Sequence, residues 1–102
     1  MKVVLCTAPV EAAENLASTL VEERLAACVN IHADVVSIYR WQGKIERANE
    51  ALLVVKTSDA ALERLVARIA AIHPYCGPEI VALDVARVNR NYLDWVDSET
   101  SA

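Results

Sequence analysis

The segment from Tyr39 to Glu46, YRWQGKIE, decides the fold because it marks the turn of a long β-hairpin. Gln42-Gly43 has the composition of a two-residue hairpin loop, in which glycine supplies the positive φ that such a turn needs. The same segment carries Tyr39 and Trp41 towards the tip. A hairpin tip normally faces water, and large exposed apolar side chains mark interaction sites. We therefore expect both aromatic side chains to pack against another surface.

The strands on either side of this turn follow from the hydrophobic pattern. Upstream, apolar residues alternate with polar ones from Val29 to Val35, and the apolar phase then slips onto Val36 and Ile38. A slip of one residue within a long strand predicts a β-bulge near Val35-Val36. Downstream, the chain returns through a charged segment, residues 46–50, into the apolar run Ala51–Val55.

Two amphipathic helices and two further strands flank the hairpin. The first helix begins at Pro9, and its apolar stripe runs from Ala13 to Leu25. The second helix is capped by Ser58 or Asp59 and ends at about Ile72 or His73, because Pro74 disfavours the helical conformation before it. The remaining elements are two short strands and a short terminal helix or docking segment: Val3–Cys6, Glu79–Val85 and Asn91–Val96.

The predicted order is β-α-β-β-α-β, the split βαβ or ferredoxin-like pattern of the α+β class. We expect residues 1–102 to form a single domain, in which two helices cover one face of a four-stranded antiparallel sheet. The strands are apolar on both sides, and no third helix is long enough to cover the other face. The simplest cover is another subunit.

Composition excludes several classes of function. The chain has 102 residues, 55% of them hydrophobic, and a formal charge of −4. Its ten basic residues are scattered among fourteen acidic ones, so we expect no nucleic-acid partner. No apolar run reaches the roughly 20 residues that span a bilayer, and the N-terminal run is too short for a signal peptide. We therefore expect a cytoplasmic protein without a membrane partner, in which Cys6, Cys28 and Cys76 are reduced thiols.

The aromatic residues indicate interfaces. The chain has no Phe, so the core must be aliphatic. The five aromatic side chains all carry a polar group and fall near turns, strand ends or the C-terminal segment: Tyr39, Trp41, Tyr75, Tyr92 and Trp95. Tyr and Trp are enriched where one protein surface meets another.

One end of the predicted domain brings together candidate metal ligands. The first strand and the second helix run in the same sense, so Cys6 and Thr7 should lie near His73, Tyr75, Cys76 and Glu79. Thiolate and imidazole suit copper or zinc, which makes Cys6, His73 and Cys76 the candidate ligands. The alternative is structural: Cys6 is a small buried hydrophobe, and His73 hydrogen-bonds a backbone carbonyl near the helix end.

Other sites are less specific. Lys56 and Thr57 end a strand near the second helix, where a lysine and free amides can hold an anion, or where they simply supply a charge and a capping hydroxyl. No glycine-rich phosphate loop or Ser/His/Asp order is present. Nucleophilic catalysis by Cys6 and His73 would need an electropositive pocket and an orienting group that the sequence does not supply. We expect a binding protein and not an enzyme.

Six segments together resemble the CutA divalent-cation-tolerance proteins, over about Val3 to Val96: VVLCTAP, LAACVNI, SIYRWQGKIE, LLVVKTS, HPYCGPEIVAL and NYLDWV. The resemblance implies a ferredoxin-like homotrimer in which long hairpins cross onto neighbouring subunits, similar in architecture to the PII signalling proteins. It places Tyr39, Trp41 and Trp95 in the trimer interface. It also implies a role in tolerance of divalent metals, particularly copper, with no metal required for folding.

The resemblance implies a ligand set that this chain keeps only in part. Members of the family bind copper through the cysteine of VLCTAP and a His-His pair before PY. Here Cys6 and His73 are present, Ile72 stands in place of the first histidine, and Cys76 is a candidate substitute. The alternative function is a PII-like sensor or scaffold that binds a small anionic ligand or a partner protein in clefts between subunits, through Lys56, Tyr75 and Glu79.

Overall fold

A four-stranded antiparallel sheet forms the centre of the computed structural model, which describes residues 1–101. The strand order is β2-β3-β1-β4. The elements, in chain order, are β1 Lys2–Ala8, α1 Val10–Glu22, β2 Cys28–Trp41, β3 Lys44–Thr57, α2 Leu62–Ile72, β4 Val81–Asp84 and α3 Arg90–Glu99. The predicted βαββαβ order, the extended β2-β3 hairpin and the short C-terminal helix are confirmed.

The core lies between the sheet and the two long helices. Alternation along the strands directs Val4, Cys6 and Ala8 of β1 towards the helices, beside their partners from β3. The largest fully buried aliphatic side chains in this layer are Leu20, Leu53, Leu65 and Ile69. Burying each such side chain stabilises the fold by about 1.5–3 kcal/mol. The predicted aliphatic core therefore closes without Phe.

The predicted apolar stripe of the first helix extends to Leu25, which lies beyond the end of α1. The helix ends at Glu22, and Arg24 adopts the left-handed conformation with φ 59°. The Leu25 amide then donates to the Leu20 carbonyl at 3.0 Å, and the Arg24 amide donates to Val21. This is the Schellman arrangement, in which the residue after the left-handed one packs back on the helix. Leu25 is thus buried, but it lies outside the helix.

The predicted bulge is present in β2, one or two residues earlier than expected. The register changes between His32 and Val35, and Asp34 has a positive φ of 64°. Before the bulge, Val29 faces the helices with its partner Val55. After it, odd-numbered residues share the opposite face, because one extra residue reverses the alternation. The bulge therefore decides which way the aromatic side chains of the hairpin point.

The sheet face opposite the helices is apolar and has no cover within residues 1–101. Cross-strand pairing places Leu5 beside Val54 and Val81, and Val3 beside Leu83. Val81 and Leu83 are nearly half exposed. Antiparallel sheets tolerate one wet face when that face is polar, whereas the central row of this face, Leu5, Val54 and Val81, is apolar.

The hairpin beyond the bulge extends from the body of the molecule, and we call residues 36–49 the arm. The molecule measures 45 × 25 × 21 Å, and its radius of gyration is 14.1 Å, against about 13 Å for a compact chain of this length. Pairing places Tyr39 and Trp41 on one face of the arm, and Ile38 and Ile45 on the other. Ile38, Ile45 and Trp41 are 70%, 63% and 60% exposed. The arm thus carries exposed apolar side chains on both faces.

Two predicted element lengths differ from the structure. The last strand is Val81–Asp84, shorter than the expected 79–85, and it pairs with β1 only from Lys2 to Leu5 although β1 continues to Ala8. The terminal helix is longer than expected, and the Thr100 hydroxyl at its end donates to the Val96 carbonyl and is hydrogen-bonded to the Ser58 hydroxyl, each at 2.8 Å. Within residues 1–101, none of the helices has the length and apolar character needed to cross a membrane.

We predict that Gly43→Ala lowers the free energy of unfolding by about 1 kcal/mol, because Gly43 has φ +80° and an L-residue is strained there. Gly77→Ala is the matched control. An added Cβ meets nothing within 4 Å at either glycine, but Gly77 lacks the positive φ. Denaturant unfolding of the two variants at equal protein concentration checks this. Equal stability of the two variants would contradict the assigned turn geometry.

Candidate functional site

The Thr7 carbonyl brings Cys6 and His73 together at the end of β1. His73 is the C-cap residue of α2, and its Nε2 lies 2.7 Å from Thr7 O. The Cys6 thiol donates to the same oxygen, with Sγ at 3.6 Å. The prediction that the ends of β1 and α2 meet is therefore confirmed, and one oxygen serves both side chains.

Both ring nitrogens of His73 are occupied. A carbonyl oxygen only accepts, so Nε2 carries the proton and donates it to Thr7. Nδ1 then accepts from the Tyr75 amide at 3.0 Å. The two bonds fix a neutral imidazole with one tautomer, and they hold the start of the loop that follows α2. This is the structural role that the sequence left as the alternative for His73.

The Cys6 thiol lies in the core with no exposed surface. Burial, and then the negative charges of Glu79 and Glu50, raise the pKa of the Cys6 thiol from its ordinary 9.0 to about 11. A low dielectric and nearby carboxylates both disfavour a thiolate. At neutral pH, Cys6 is therefore a protonated thiol and a poor nucleophile.

Cys76 is exposed and lies on the other side of the sheet from Cys6. Cys6 points towards the helices, whereas Cys76 lines a cavity together with Thr7 and Glu50, which belong to the open face. The reason is that consecutive strand residues point to opposite faces, so Cys6 and Thr7 diverge. Within residues 1–101, no group of three or more His, Cys, Asp or Glu side chains is arranged to hold a metal ion. The structure thus separates Cys76 from the pair formed by Cys6 and His73.

Lys56 lies at the opposite end of the sheet from Tyr75 and Glu79. It pairs with Cys28 across β2 and β3, and its Nζ donates to Asn30 Oδ1. Tyr75 lies in the loop after α2, at the far end of β1. Lys56, Tyr75 and Glu79 therefore do not form one site within a single chain, and the surroundings of Tyr75 and Glu79 are acidic.

A concavity lies between this loop and the arm. It has a volume of about 800 Å³ and is lined by residues of β1, of the arm and its base, and of the loop: Thr7, Ser37, Ile38, Tyr39, Trp41, Glu50, Pro74, Tyr75, Cys76, Gly77 and Glu79. Tyr75 donates its hydroxyl to Glu50 Oε2 at 2.7 Å. This bond joins the loop to β3 and defines the floor of the cavity.

Sequence reasoning missed Glu50. The sequence places Glu50 in the charged segment of residues 46–50, yet the residue is buried and only 7% exposed. The signal was its position directly before the buried run that begins at Ala51. Burial and the Glu50 charge together raise the pKa of the Tyr75 hydroxyl above its ordinary value. Glu50 therefore belongs to the site.

The three predicted interface aromatics occupy two regions. Tyr39 and Trp41 lie on the arm and line the cavity with part of their surface, while Trp41 remains mostly exposed. Trp95 lies on α3, where its ring centroid is 5.5 Å from that of Tyr92. Its exposed fraction is 42%. All three have free apolar surface in a single copy of the chain.

The architecture defines a ferredoxin-like α+β protein with an extended hairpin. The profile of the family described as CutA1 divalent ion tolerance protein matches residues 2–99. The chain belongs to this family.

Individual relatives and a solved structure agree with this family assignment. The divalent-cation tolerance protein CutA of Thermus thermophilus is 54% identical over 100 residues, which cover 97% of each chain. The chloroplastic protein CutA of Arabidopsis thaliana is 41% identical over 88% of this chain, but this match spans only 50% of that relative's own length. The apo structure of a protein described as PII-like protein CutA from Nostoc sp. PCC 7120 superposes with a TM-score of 0.95, at 42% identity, over 99% of this chain and 98% of that one.

We predict that Tyr75→Phe lowers the free energy of unfolding by about 1 kcal/mol, because a buried carboxylate loses its hydrogen-bond donor. Tyr39→Phe is the matched control, since no hydrogen bond of the Tyr39 hydroxyl is found among the described residues, and it should change stability by less than about 0.5 kcal/mol. Denaturant unfolding checks both. Equal effects would show that the Tyr75–Glu50 bond contributes nothing specific.

We also predict a loss of stability at alkaline pH that depends on Cys6. The folded pKa of Cys6 lies above its ordinary value, so its contribution is complete below about pH 9 and is lost as the pH rises to about 11. The shift corresponds to roughly 2 kcal/mol. Unfolding measured from pH 8 to 11 should show a steeper loss for the native chain than for Cys6→Ala. Parallel curves would contradict the buried, carboxylate-flanked thiol.

Proposed function

We propose that this chain is a cytoplasmic homotrimer that binds divalent metal, particularly copper, and acts in metal tolerance. The observation that carries the proposal is the shared acceptor: the Cys6 thiol and the His73 imidazole donate to one carbonyl oxygen. A sulfur and a nitrogen donor are thus held side by side at the end of β1. Membership of a family described by divalent ion tolerance supports the metal class.

The donor chemistry fits copper better than it fits a hard cation. Thiolate is a soft ligand that favours copper or zinc, and imidazole suits both metals. Two donors do not close a tetrahedral site, so Cys76 is proposed as the third ligand. It would join Cys6 and His73 only after the loop of residues 74–79 moves, because it now faces the cavity. We therefore expect metal binding to disturb the Tyr75–Glu50 bond.

Proton release follows from the same geometry. The Cys6 thiol must lose its proton to act as a ligand, and its pKa of about 11 means that it is protonated at neutral pH. His73 offers a lone pair only at Nδ1, so binding a metal requires either that the Tyr75 amide leaves Nδ1 or that the proton moves from Nε2 to Nδ1. Binding should therefore release a proton from each ligating thiol and tighten as the pH rises towards 11.

The homotrimer is supported by the two uncovered apolar surfaces. The open face of the sheet and both faces of the arm need cover, and copies of the same chain supply it with closed symmetry. The arm's exposed Trp and Ile side chains are of the kind that form interface cores. A threefold arrangement is the one that the family resemblance implies.

A reducing compartment and a binding role complete the proposal. All three cysteines are free, and Cys76 is exposed, a state that is stable where thiols stay reduced. The raised pKa of Cys6 weighs against nucleophilic catalysis, because the thiolate is the reactive form.

The metal proposal predicts saturable binding of copper and of zinc, each titrated separately, with one site per subunit, measured by calorimetry on reduced protein. Cys6→Ala/His73→Gln should abolish binding, and the glutamine keeps a donor for the Thr7 carbonyl. Cys28→Ala/His32→Gln is the matched control, since it removes one cysteine and one histidine of β2, neither of them a proposed ligand, and should leave binding unchanged. Binding that survives the first variant, or is lost equally in both, would contradict the site.

The assembly proposal predicts that Trp41→Ala raises the dissociation constant of the oligomer at least about thirtyfold, because a buried interface Trp contributes about 2 kcal/mol or more. Val21→Ala, an exposed apolar residue on the outer surface of α1, is the control and should have no effect. Sedimentation between nanomolar and micromolar concentration measures the mass. An unchanged mass profile for Trp41→Ala would refute the role of the arm.

A further inference from the structure

The two faces of the arm differ in charge and in exposure. The pairing of β2 with β3 places Tyr39, Trp41 and Lys44 on the face that borders the cavity. The opposite face, here called the outer face, carries Val36, Ile38, Arg40, Ile45, Arg47 and Asn49, all of them exposed. The outer face thus combines three aliphatic side chains with two positive charges, and it has no carboxylate.

The two arginines of the outer face are unpaired within one chain. No salt bridge or side-chain hydrogen bond of Arg40 or Arg47 is found among residues 1–101. Arg68, by contrast, holds Glu23 through two bonds of 2.9 Å. A guanidinium offers a planar fork of donors that matches a carboxylate, and arginine is enriched in protein interfaces.

The cavity has the opposite character. Glu50 forms part of its floor and Glu79 lies at the loop side, while Tyr39, Trp41 and Tyr75 supply aromatic walls. No Lys, Arg or His is among its lining residues within the described chain. Burial, and then the charges of Glu79 and Glu50, raise the pKa of the Cys6 thiol behind it. The negative charge at this end of the sheet has no cation of the same chain beside it.

Glu50 is only half satisfied by its own chain. Its Oε2 accepts the Tyr75 hydroxyl, and no hydrogen bond of its Oε1 is found among residues 1–101. The residue is 7% exposed, yet Oε1 is not among fully enclosed polar atoms that lack a partner. It therefore keeps some surface, and the space it meets is the cavity. An assembly that covers the open face would take this oxygen out of water, and an unpaired buried carboxylate is costly.

We propose that the outer face of one copy's arm lies in the cavity of the next copy, where a guanidinium from Arg40 or Arg47 binds Glu50. The inference rests on the homotrimer of the proposed function and names the contact that specifies it. The neighbour supplies the cation that the cavity lacks, and its aliphatic side chains cover the aromatic walls. Glu50 then has a partner on both oxygens.

This contact joins two different surfaces, so it is heterologous. Each copy uses its outer face on one neighbour and its cavity on the other, and such contacts close into a ring when the rotation permits. The ion pair also sets the register of the arm, because sliding the arm would leave Glu50 buried without a cation. Charge complementarity of this kind mainly supplies specificity.

The test is a double-mutant cycle on the dissociation constant of the oligomer, measured by sedimentation over a dilution series. Glu50→Gln removes the charge but keeps an acceptor for the Tyr75 hydroxyl. Arg40→Gln and Arg47→Gln are made singly and each is combined with Glu50→Gln. For at least one arginine, the combined variant should weaken assembly at least about tenfold less than the product of the two separate effects.

Lys44→Gln is the matched control, since it removes one positive charge from the other face of the same arm. Its effect should multiply with that of Glu50→Gln. At least one of the arginine variants should also weaken assembly at least about tenfold more than Lys44→Gln. This last comparison leaves Glu50 unchanged, so it decides the matter even where Glu50→Gln fails to fold.

The outcomes separate this contact from the homotrimer itself. If the native chain assembles but the effects multiply for both arginines, or if all three arm variants weaken assembly equally, the contact is refuted and the homotrimer stands. If the native chain stays monomeric at every concentration, the homotrimer and the contact fail together.

Discussion

Helices cover only one face of a sheet whose strands are apolar on both. The difference between the covered and the uncovered face determines where the core lies and which surface needs a partner. The helix side is a closed aliphatic core, in which even Cys6 serves as a buried thiol. The opposite side presents Leu5, Val54 and Val81 in one row, a surface that a lone chain leaves to solvent. Exposed apolar area of this kind marks contact with another molecule.

The bulge at Asp34 determines which side chains of the arm lie on each face of the sheet. The extra residue reverses the alternation of β2, so Tyr39 and Trp41 turn to the face that carries Glu50. Without the reversal, these side chains would point to the opposite face and the cavity would lose two of its walls. The arm is a two-stranded ribbon, and such a ribbon is at best marginally stable in water by itself. Its apolar faces therefore suit contacts with neighbouring copies, as we propose.

The fold was predictable because its signals are periodic and local. The helix stripes, the apolar strand runs and the Gln42-Gly43 turn fixed the element order and the extended hairpin. The same order predicted that His73 meets the end of β1, which the bond to Thr7 confirms. The resemblance to CutA agrees with the family match over residues 2–99.

The candidate site was less predictable, because it depends on which face of the sheet each side chain occupies and on the path of the loop after α2. The order of elements fixes which end of the sheet Cys76 occupies, but only the path of the loop after His73 decides on which face it lies. Glu50 went unnoticed for a similar reason: its neighbours in the sequence are polar, and its burial is created by Tyr75, 25 residues away. Long-range contacts of this kind leave no periodic signal.

Amide hydrogen exchange along the arm tests the central claim most directly. If copies of this chain cover both faces, the amides that pair residues 36–41 with residues 44–49 should be protected to about the same degree as those of the core part of β3, residues 51–57. Exchange of the arm within ~1 s while the core stays protected would show a bare ribbon in solution. That result would contradict the account of how this sheet is covered.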